Sequence, residues 1–259
     1  MAAFDTVAGR IAWHDLLTAD MPAARTFYTR LFGWTTRRVD LGPAGRYTVV
    51  RSGDCDLGGI VTVGRGPVDR THWVPHIGID NLAAALEAVN RSGGRLRAKA
   101  TDHPMGGRCA VIRDPQGVSV SLIDAHGGAA GRSEAAIPGR FCWDELLVSD
   151  TTGMVEFYRD LAGWTATAWD LGELGTYWVF RRGDRDVAGM TSPPGASGLP
   201  SGWLPYIQVV SPEDTAAMAE ELGGRLVTPP GDVPGRGRSA IVRDPAGGLV
   251  GLYALTAAA

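Results

Sequence analysis

The chain has 259 residues, enough for one or two domains with buried cores. A hydrophobic fraction of 44% with 20% charged residues excludes a disordered or fibrous chain, and a formal charge of −3 offers no basic surface for nucleic acid or an anionic membrane. No apolar run reaches the ~18 residues of a membrane span, and Met-Ala-Ala-Phe-Asp lacks a signal peptide's basic start, so a cytoplasmic protein is expected. Three scattered cysteines, Cys55, Cys109 and Cys142, fit neither a disulfide framework nor a zinc knuckle.

In chain order, Asp20 reads as an N-cap with Pro22 in the first turn of a helix near 21–32. Ala24, Phe27, Tyr28 and Leu31 form its apolar face, and Gly33 ends it. Strand-like stretches follow at Trp34–Leu41, Arg46–Arg51 and Leu57–Val63, separated by glycine turns. Trp73–Ile79 reads as another strand. It leads into a helix near 82–92 that carries Leu82, Ala85, Leu86 and Val89 on one face and stops at Gly93-Gly94. Three more strands run to about Ile123, with Asp114-Pro115-Gln116-Gly117 as the last turn.

The same order then repeats. Shifted by 130 residues, Gly9–Leu122 matches Gly139–Leu252 at 41 of 114 positions, without net insertion, so the chain carries an internal duplication. Phe27-Tyr28 answers Phe157-Tyr158, Gly33-Trp34 answers Gly163-Trp164, Trp73 and Pro75 answer Trp203 and Pro205, and Arg113-Asp114-Pro115 answers Arg243-Asp244-Pro245. Helices are expected near 152–162, opened by Asp150, and near 212–222, opened by Ser211. Two domains, 1–125 and 139–259, are expected around a Gly/Ala/Ser-rich linker at 126–138.

Four βαβββ units, with the helix pattern Asp20–Trp34 and the D-P-x-G turns at Asp114–Gly117 and Asp244–Gly247, resemble the vicinal oxygen chelate superfamily. That family includes glyoxalases, bleomycin-resistance proteins and extradiol dioxygenases. The paired motifs are similar to tandem actinobacterial glyoxalase-like proteins of the hydroxylase-labelled type. The resemblance implies an α+β fold of tandem domains. In each, two units form a U-shaped, eight-stranded mixed sheet that makes a cup, with helices on its outer face. It also implies a divalent metal at the cup floor. The positions matching the family's ligands are Trp13, Val74 (or Trp73) and Ser121, and in the second copy Trp143, Leu204 (or Trp203) and Gly251. None carries the imidazole, carboxylate or thiolate a divalent ion takes, so no metal and no other cofactor is expected there.

Candidate ligand-binding residues are therefore Trp13, Trp143, Trp73 and Trp203, which either stack on a flat ligand or fill a core, together with Gln208 and Ser121. Candidate catalytic residues are Asp15 and Glu145, which alternation places beside Trp13 and Trp143, and His76 and Tyr206 at equivalent positions. Each has a structural alternative, a solvated strand end or a carboxylate bonded to a nearby arginine for the acids, and a half-buried ring with a satisfied hydrogen bond for the other two. His14 is assigned to the helix side of its strand, and His72, His103 and His126 to loops without a recognisable partner. The glycine-arginine turns at 106–108 and 236–238 lack the phosphate-loop spacing and read as tight turns. The expected function is metal-independent binding of a hydrophobic or aromatic small molecule, as in sequestering resistance proteins. The alternatives are a metal-independent acid/base enzyme (isomerisation, cyclisation or hydration), a metal-dependent lyase or dioxygenase, or a partner-binding remnant of the fold. Whether the protein is an enzyme stays open at this point. The partner is a small molecule, not nucleic acid or membrane, and the chain is a monomer or homodimer.

Overall fold

A computed structural model describes residues 7–41, 46–64, 71–124, 137–172, 175–193 and 198–255. The expected linker lies almost wholly outside them. The four βαβββ motifs are present, each with the same order. The first has β1 (Ile11–Thr18), α1 (Met21–Phe32), β2 (Thr35–Asp40), β3 (Arg46–Ser52) and β4 (Cys55–Thr62). The second has β5 (His72–Ile79), α2 (Leu82–Arg91), β6 (Arg95–Asp102), β7 (Arg108–Arg113) and β8 (Ser119–Asp124). The third has β9 (Phe141–Leu147), α3 (Met154–Ala162), β10 (Thr165–Asp170), β11 (Thr176–Arg182) and β12 (Arg185–Thr191). The fourth has β13 (Gly202–Gln208), α4 (Pro212–Glu221), β14 (Arg225–Val233), β15 (Gly237–Arg243) and β16 (Leu249–Leu255). In every motif the first strand runs parallel to the fourth, and the other pairs are antiparallel.

The helices start and stop for local reasons. Asp20 accepts from the Ala23 N–H and Ser211 from the Asp214 N–H, each side chain capping a helix start. Gly33 and Gly163 take the left-handed conformation that closes α1 and α3 (φ 66° and 65°). The start expected at Asp150 is corrected. Asp150 accepts from the Thr152 N–H in a turn, and α3 begins after Gly153 without a side-chain cap. The short Asp side chain closes the nearer turn, and Gly153, at φ 75°, redirects the chain.

The chain forms two compact units that do not follow the repeat. One lies within Met1–Trp13, Val74–Ser133 and Asp144–Trp203, the other within His14–Trp73, Glu134–Trp143 and Leu204–Ala259. Each takes half of each copy, and the division falls just after a tryptophan in β1, β5, β9 and β13.

In the first unit α2 contacts α3 above a core that includes Ile77, Val89, Ile112, Leu122, Phe157 and Trp164. Tyr158 stacks on Trp164 at 5.4 Å and meets Trp203 edge-on at 5.8 Å. Its hydroxyl donates to Asp114 Oδ2 at 3.1 Å, and Trp164 Nε1 donates to the Gly9 carbonyl at 2.7 Å. In the second unit α1 contacts α4, Tyr28 stacks on Trp34 at 5.7 Å, and Trp73 meets Tyr28 edge-on at 5.4 Å. The Tyr28 hydroxyl donates to Asp244 Oδ2 at 2.8 Å, and Trp34 Nε1 donates to the Gly139 carbonyl at 2.6 Å. The motifs repeated in the sequence thus fasten the helix end of one copy to a turn of the other through the Tyr28, Tyr158, Trp34 and Trp164 hydrogen bonds.

Candidate functional site

In the first unit, β5 places His76 directly opposite Ser121 of β8, and both are buried. His103 sits in the tight turn between β6 and β7, the glycine turn read from the sequence. Its backbone N–H and C=O bond Gly107 and Gly106, and its Nδ1 accepts from the Met105 N–H at 3.2 Å. That turn brings the His103 ring to the edge of His76, with centroids 5.0 Å apart, and to Trp13 at 6.0 Å. Trp13 and His76 thus both flank the His103 ring, and Ser121 lies opposite His76 in the strand register. His103 lies in a loop, as expected from the sequence, but the expectation that it has no partner there is corrected, since it is buried beside His76. Glu145 of β9 is half-buried and pairs in register with Gly189 of β12. The Tyr177 hydroxyl lies over Gly189, where an added methyl group would overlap it. Trp203 belongs to the helix-side core against Tyr158, so the ligand-lining expectation for it is corrected.

In the second unit, Asp15 of β1 is buried and pairs in register with Gly59 of β4. The Tyr47 hydroxyl of β3 donates a short hydrogen bond to Asp15 Oδ1, directly over Gly59. A methyl group at Gly59 would overlap the phenol and crowd the carboxylate. The structural reading of Asp15 as a solvated strand end is thereby excluded. His14, on the opposite face, is buried and stacks on Phe141 at 3.9 Å. Trp73 is core, with Nε1 donating to the Tyr28 hydroxyl at 3.3 Å, so its ligand-lining expectation is also corrected. Trp143 and Tyr206 are half-buried, and Gln208 is buried with its amide near the Val209 carbonyl.

The residues at the family's ligand positions do not fit a divalent ion. Trp13 and Trp143 offer indole N–H, Val74 and Leu204 are buried hydrocarbon, and Ser121 offers a neutral hydroxyl. At Gly251 the register partner Tyr206 lays its ring where a side chain would begin, filling the space a ligating carboxylate would need. Donor chemistry in the first unit lies instead at His76 and His103, which bring an imidazole nitrogen each within 4.8 Å of the other. Tyr47, Tyr177, Gly59 and Gly189 were not singled out from the sequence. Their signal was there, since both pairs are identical between the copies.

Comparison with known proteins gives a family model described as "Glyoxalase/Bleomycin resistance protein/Dioxygenase superfamily", matching residues 10–122. The glyoxylase-named protein CFP32 of Mycobacterium tuberculosis is 32% identical over 242 residues, covering 92% of this chain and 91% of its own length. The anthracycline biosynthesis protein DnrV of Streptomyces peucetius is 32% identical over 257 residues, covering 92% and 90%. Among solved structures, the Mn(II)-bound glyoxalase of Novosphingobium aromaticivorans aligns with a TM-score of 0.68 at 16% identity, covering 95% of this chain and 82% of that one.

Proposed function

We propose, for a chain that belongs to the glyoxalase/bleomycin resistance protein/dioxygenase superfamily, that it binds a hydrophobic, aromatic small molecule of secondary metabolism without a metal at the superfamily's ligand positions. The observation that carries this reading is the chemistry at those positions. Indole, hydrocarbon, a hydroxymethyl group and a bare glycine stand where nitrogen and carboxylate donors would be needed, and indole faces suit a flat ring system. The relatives named for anthracycline biosynthesis support a fused-ring aromatic ligand. Sequestration is the mode this favours, because binding by stacking and burial needs no group that changes charge. A second reading, acid/base chemistry on such a ligand, is favoured by the buried Asp15 carboxylate held by Tyr47.

The test is titration with an anthracycline such as doxorubicin in the presence of a chelator, following tryptophan fluorescence. Saturable quenching is expected, weakened at least about tenfold in Trp143→Ala, since removing a buried aromatic contact costs a stacking partner as well as apolar area. An absence of saturable binding refutes the reading. Binding that appears only after a divalent metal is added refutes its metal-free part.

A further inference from the structure

Among the described strands, β2, β6, β10 and β14 have a hydrogen-bonded neighbour on one side only. Such an edge offers its outward backbone groups to another chain unless charge or proline blocks it. β14 carries Pro229 and Pro230, β6 carries Arg95, Arg97 and Lys99, and β2 carries Arg37 and Arg38. β10, Thr-Ala-Thr-Ala-Trp-Asp, has no proline and no charge before its last residue. It bears Trp169 and runs on into Leu171, both exposed large apolar side chains.

The β10–β11 hairpin fixes which groups of β10 face the edge. Its register runs evenly from Thr165↔Arg181 to Asp170↔Thr176, and the Leu171 N–H extends the ladder by donating to the Gly175 carbonyl at 2.9 Å. In an antiparallel ladder alternate residues turn both backbone groups to the neighbour, and the rest turn both away. Leu171 therefore shares the inward set with Trp169, Thr167 and Thr165, while Ala166, Ala168 and Asp170 direct their N–H and C=O groups outward. A two-fold axis normal to the sheet keeps every residue on its own face, so odd positions oppose odd ones and even oppose even. Centring that axis on Ala168 engages the whole edge. Ala168 exchanges both bonds with Ala168 of a second molecule, and Ala166 pairs with Asp170 on either side. Trp169 then opposes Thr167, and Leu171 opposes Thr165, in the closer non-hydrogen-bonded pairs.

The duplication supplies an internal contrast. By the 130-residue correspondence, Thr167 and Ala168 answer Arg37 and Arg38 of β2. The same pairing through β2 would set Arg38 directly against Arg38 of the second molecule, a destabilising like-charge contact. We propose that β10 is a homodimer interface, through which two molecules of this chain join by antiparallel β10–β10 pairing centred on Ala168. The occupant is a second molecule of the same chain because the edge is complementary to itself. No charge meets a like charge, the outward donors meet outward acceptors, and each Trp169 and Leu171 covers a threonine. The paired edge is smaller than the about 20–30 residues a side of a standard interface, so the dimer is weak and depends on concentration.

The experiment is sedimentation velocity of the full chain, from low micromolar to several hundred micromolar. The sedimentation coefficient is expected to move from that of a monomer to that of a dimer. The double variant Thr167→Arg, Ala168→Arg writes the β2 residues into β10. Since β2 forms the equivalent hairpin with those arginines, the fold should survive, and dimerisation should weaken at least about tenfold. Cross-linking reads the register independently. In Ala168→Cys the two new thiols sit on residues whose Cα atoms are about 5.5 Å apart, within disulfide reach. In Thr165→Cys they lie roughly 20 Å apart along the strands. Mild oxidation should therefore yield a reducible dimer at least about tenfold faster in Ala168→Cys, and the native cysteines are common to both variants. A wild-type chain that stays monomeric throughout overturns the inference. So does a dimer untouched by the arginine pair in a variant with native circular dichroism, or equal cross-linking of the two cysteine variants. If the arginine variant fails to fold, the cysteine pair decides.

Discussion

Removing the Tyr158 hydroxyl should cost more stability at alkaline than at acidic pH. Asp114 is buried, accepts from the Gln116 and Val118 N–H groups at 2.9 Å each, and takes its third hydrogen bond from Tyr158. Burial raises its carboxyl to about 6, while the hydrogen bonds from Val118, Tyr158, Gln116 and Gly117 oppose the rise. The folded chain thus holds this proton more tightly than the unfolded chain, whose carboxyl titrates near 3.9. The group's contribution is complete below about pH 4 and declines as pH rises through about 6, by ~3 kcal/mol in total. Above that range the carboxylate is charged and depends on its donors. The Tyr158 phenol stays protonated, since burial and then the nearby Asp114 charge raise it well above its usual range. In Tyr158→Phe at pH 8 a charged acceptor loses a donor, at ~1.5–3 kcal/mol; at pH 5 the acceptor is neutral and the loss is ~0.5–1.5 kcal/mol. For a chain of this size, at about 2–4 °C per kcal/mol, the Tm should fall by about 3–12 °C at pH 8 and about 1–6 °C at pH 5. Calorimetry or thermal circular dichroism of both proteins at both pH values measures the difference. An equal loss at the two pH values would refute the claim that Asp114 changes charge inside this pair.

Gly59→Ala should destabilise the fold by ~1–3 kcal/mol, because the new methyl group must displace the Tyr47 phenol from Asp15; urea unfolding checks this, and a neutral effect would show that the phenol moves freely. Trp164→Phe leaves the buried Gly9 carbonyl without its 2.7 Å donor and opens space in the core, so a loss of ~2–4 kcal/mol is expected by denaturant unfolding, against little change if that carbonyl finds water. Added Co(II) should bind at His76 and His103, with the affinity reduced at least about tenfold in His103→Gln; an ion that binds equally in that variant lies elsewhere.

The scaffold was legible in the sequence because its signals are local. Phe27, Tyr28 and Leu31 mark a helix face at helical spacing, Gly33 marks its end, and the copy at Phe157–Gly163 confirms both. The site was less legible because its contacts depend on strand register. His76 and His103 lie 27 residues apart, and only the β6–β7 turn brings the rings together. Tyr47 reaches Asp15 across a strand pairing that no spacing rule displays. Trp73 and Trp203 are conspicuous in the sequence, yet serve the core. Their place after the start of β5 and β13 directs them to Tyr28 and Tyr158 rather than toward a ligand.

The pairing of halves across the duplication has a consequence for a single copy. Tyr28 takes its acceptor from Asp244 and Trp34 from Gly139, whereas Tyr158 uses Asp114 and Trp164 uses Gly9. Residues 1–125 alone contain the donors Tyr28 and Trp34 and the acceptors Asp114 and Gly9, and so for each of the four bonds only one of the two partners used in the full chain. Tyr28 would be left with a buried hydroxyl, and Asp114 with a buried carboxylate lacking its phenol, at ~1–3 kcal/mol each. The apolar faces of α1 and α2 would also lose their cover from α4 and α3. By the 130-residue correspondence, Asp114 and Gly9 of a second copy are the equivalents of Asp244 and Gly139. An isolated first half is therefore expected to fold as a homodimer in which Tyr28 of each chain meets Asp114 of the other. Its Tm should then rise with protein concentration. Light scattering after size exclusion should give twice the mass of residues 1–125, and Tyr28→Phe should shift the fragment toward unfolded monomer. A folded, monomeric fragment whose Tm is independent of concentration would show that each copy closes on itself and that the exchange of helices between the copies is dispensable.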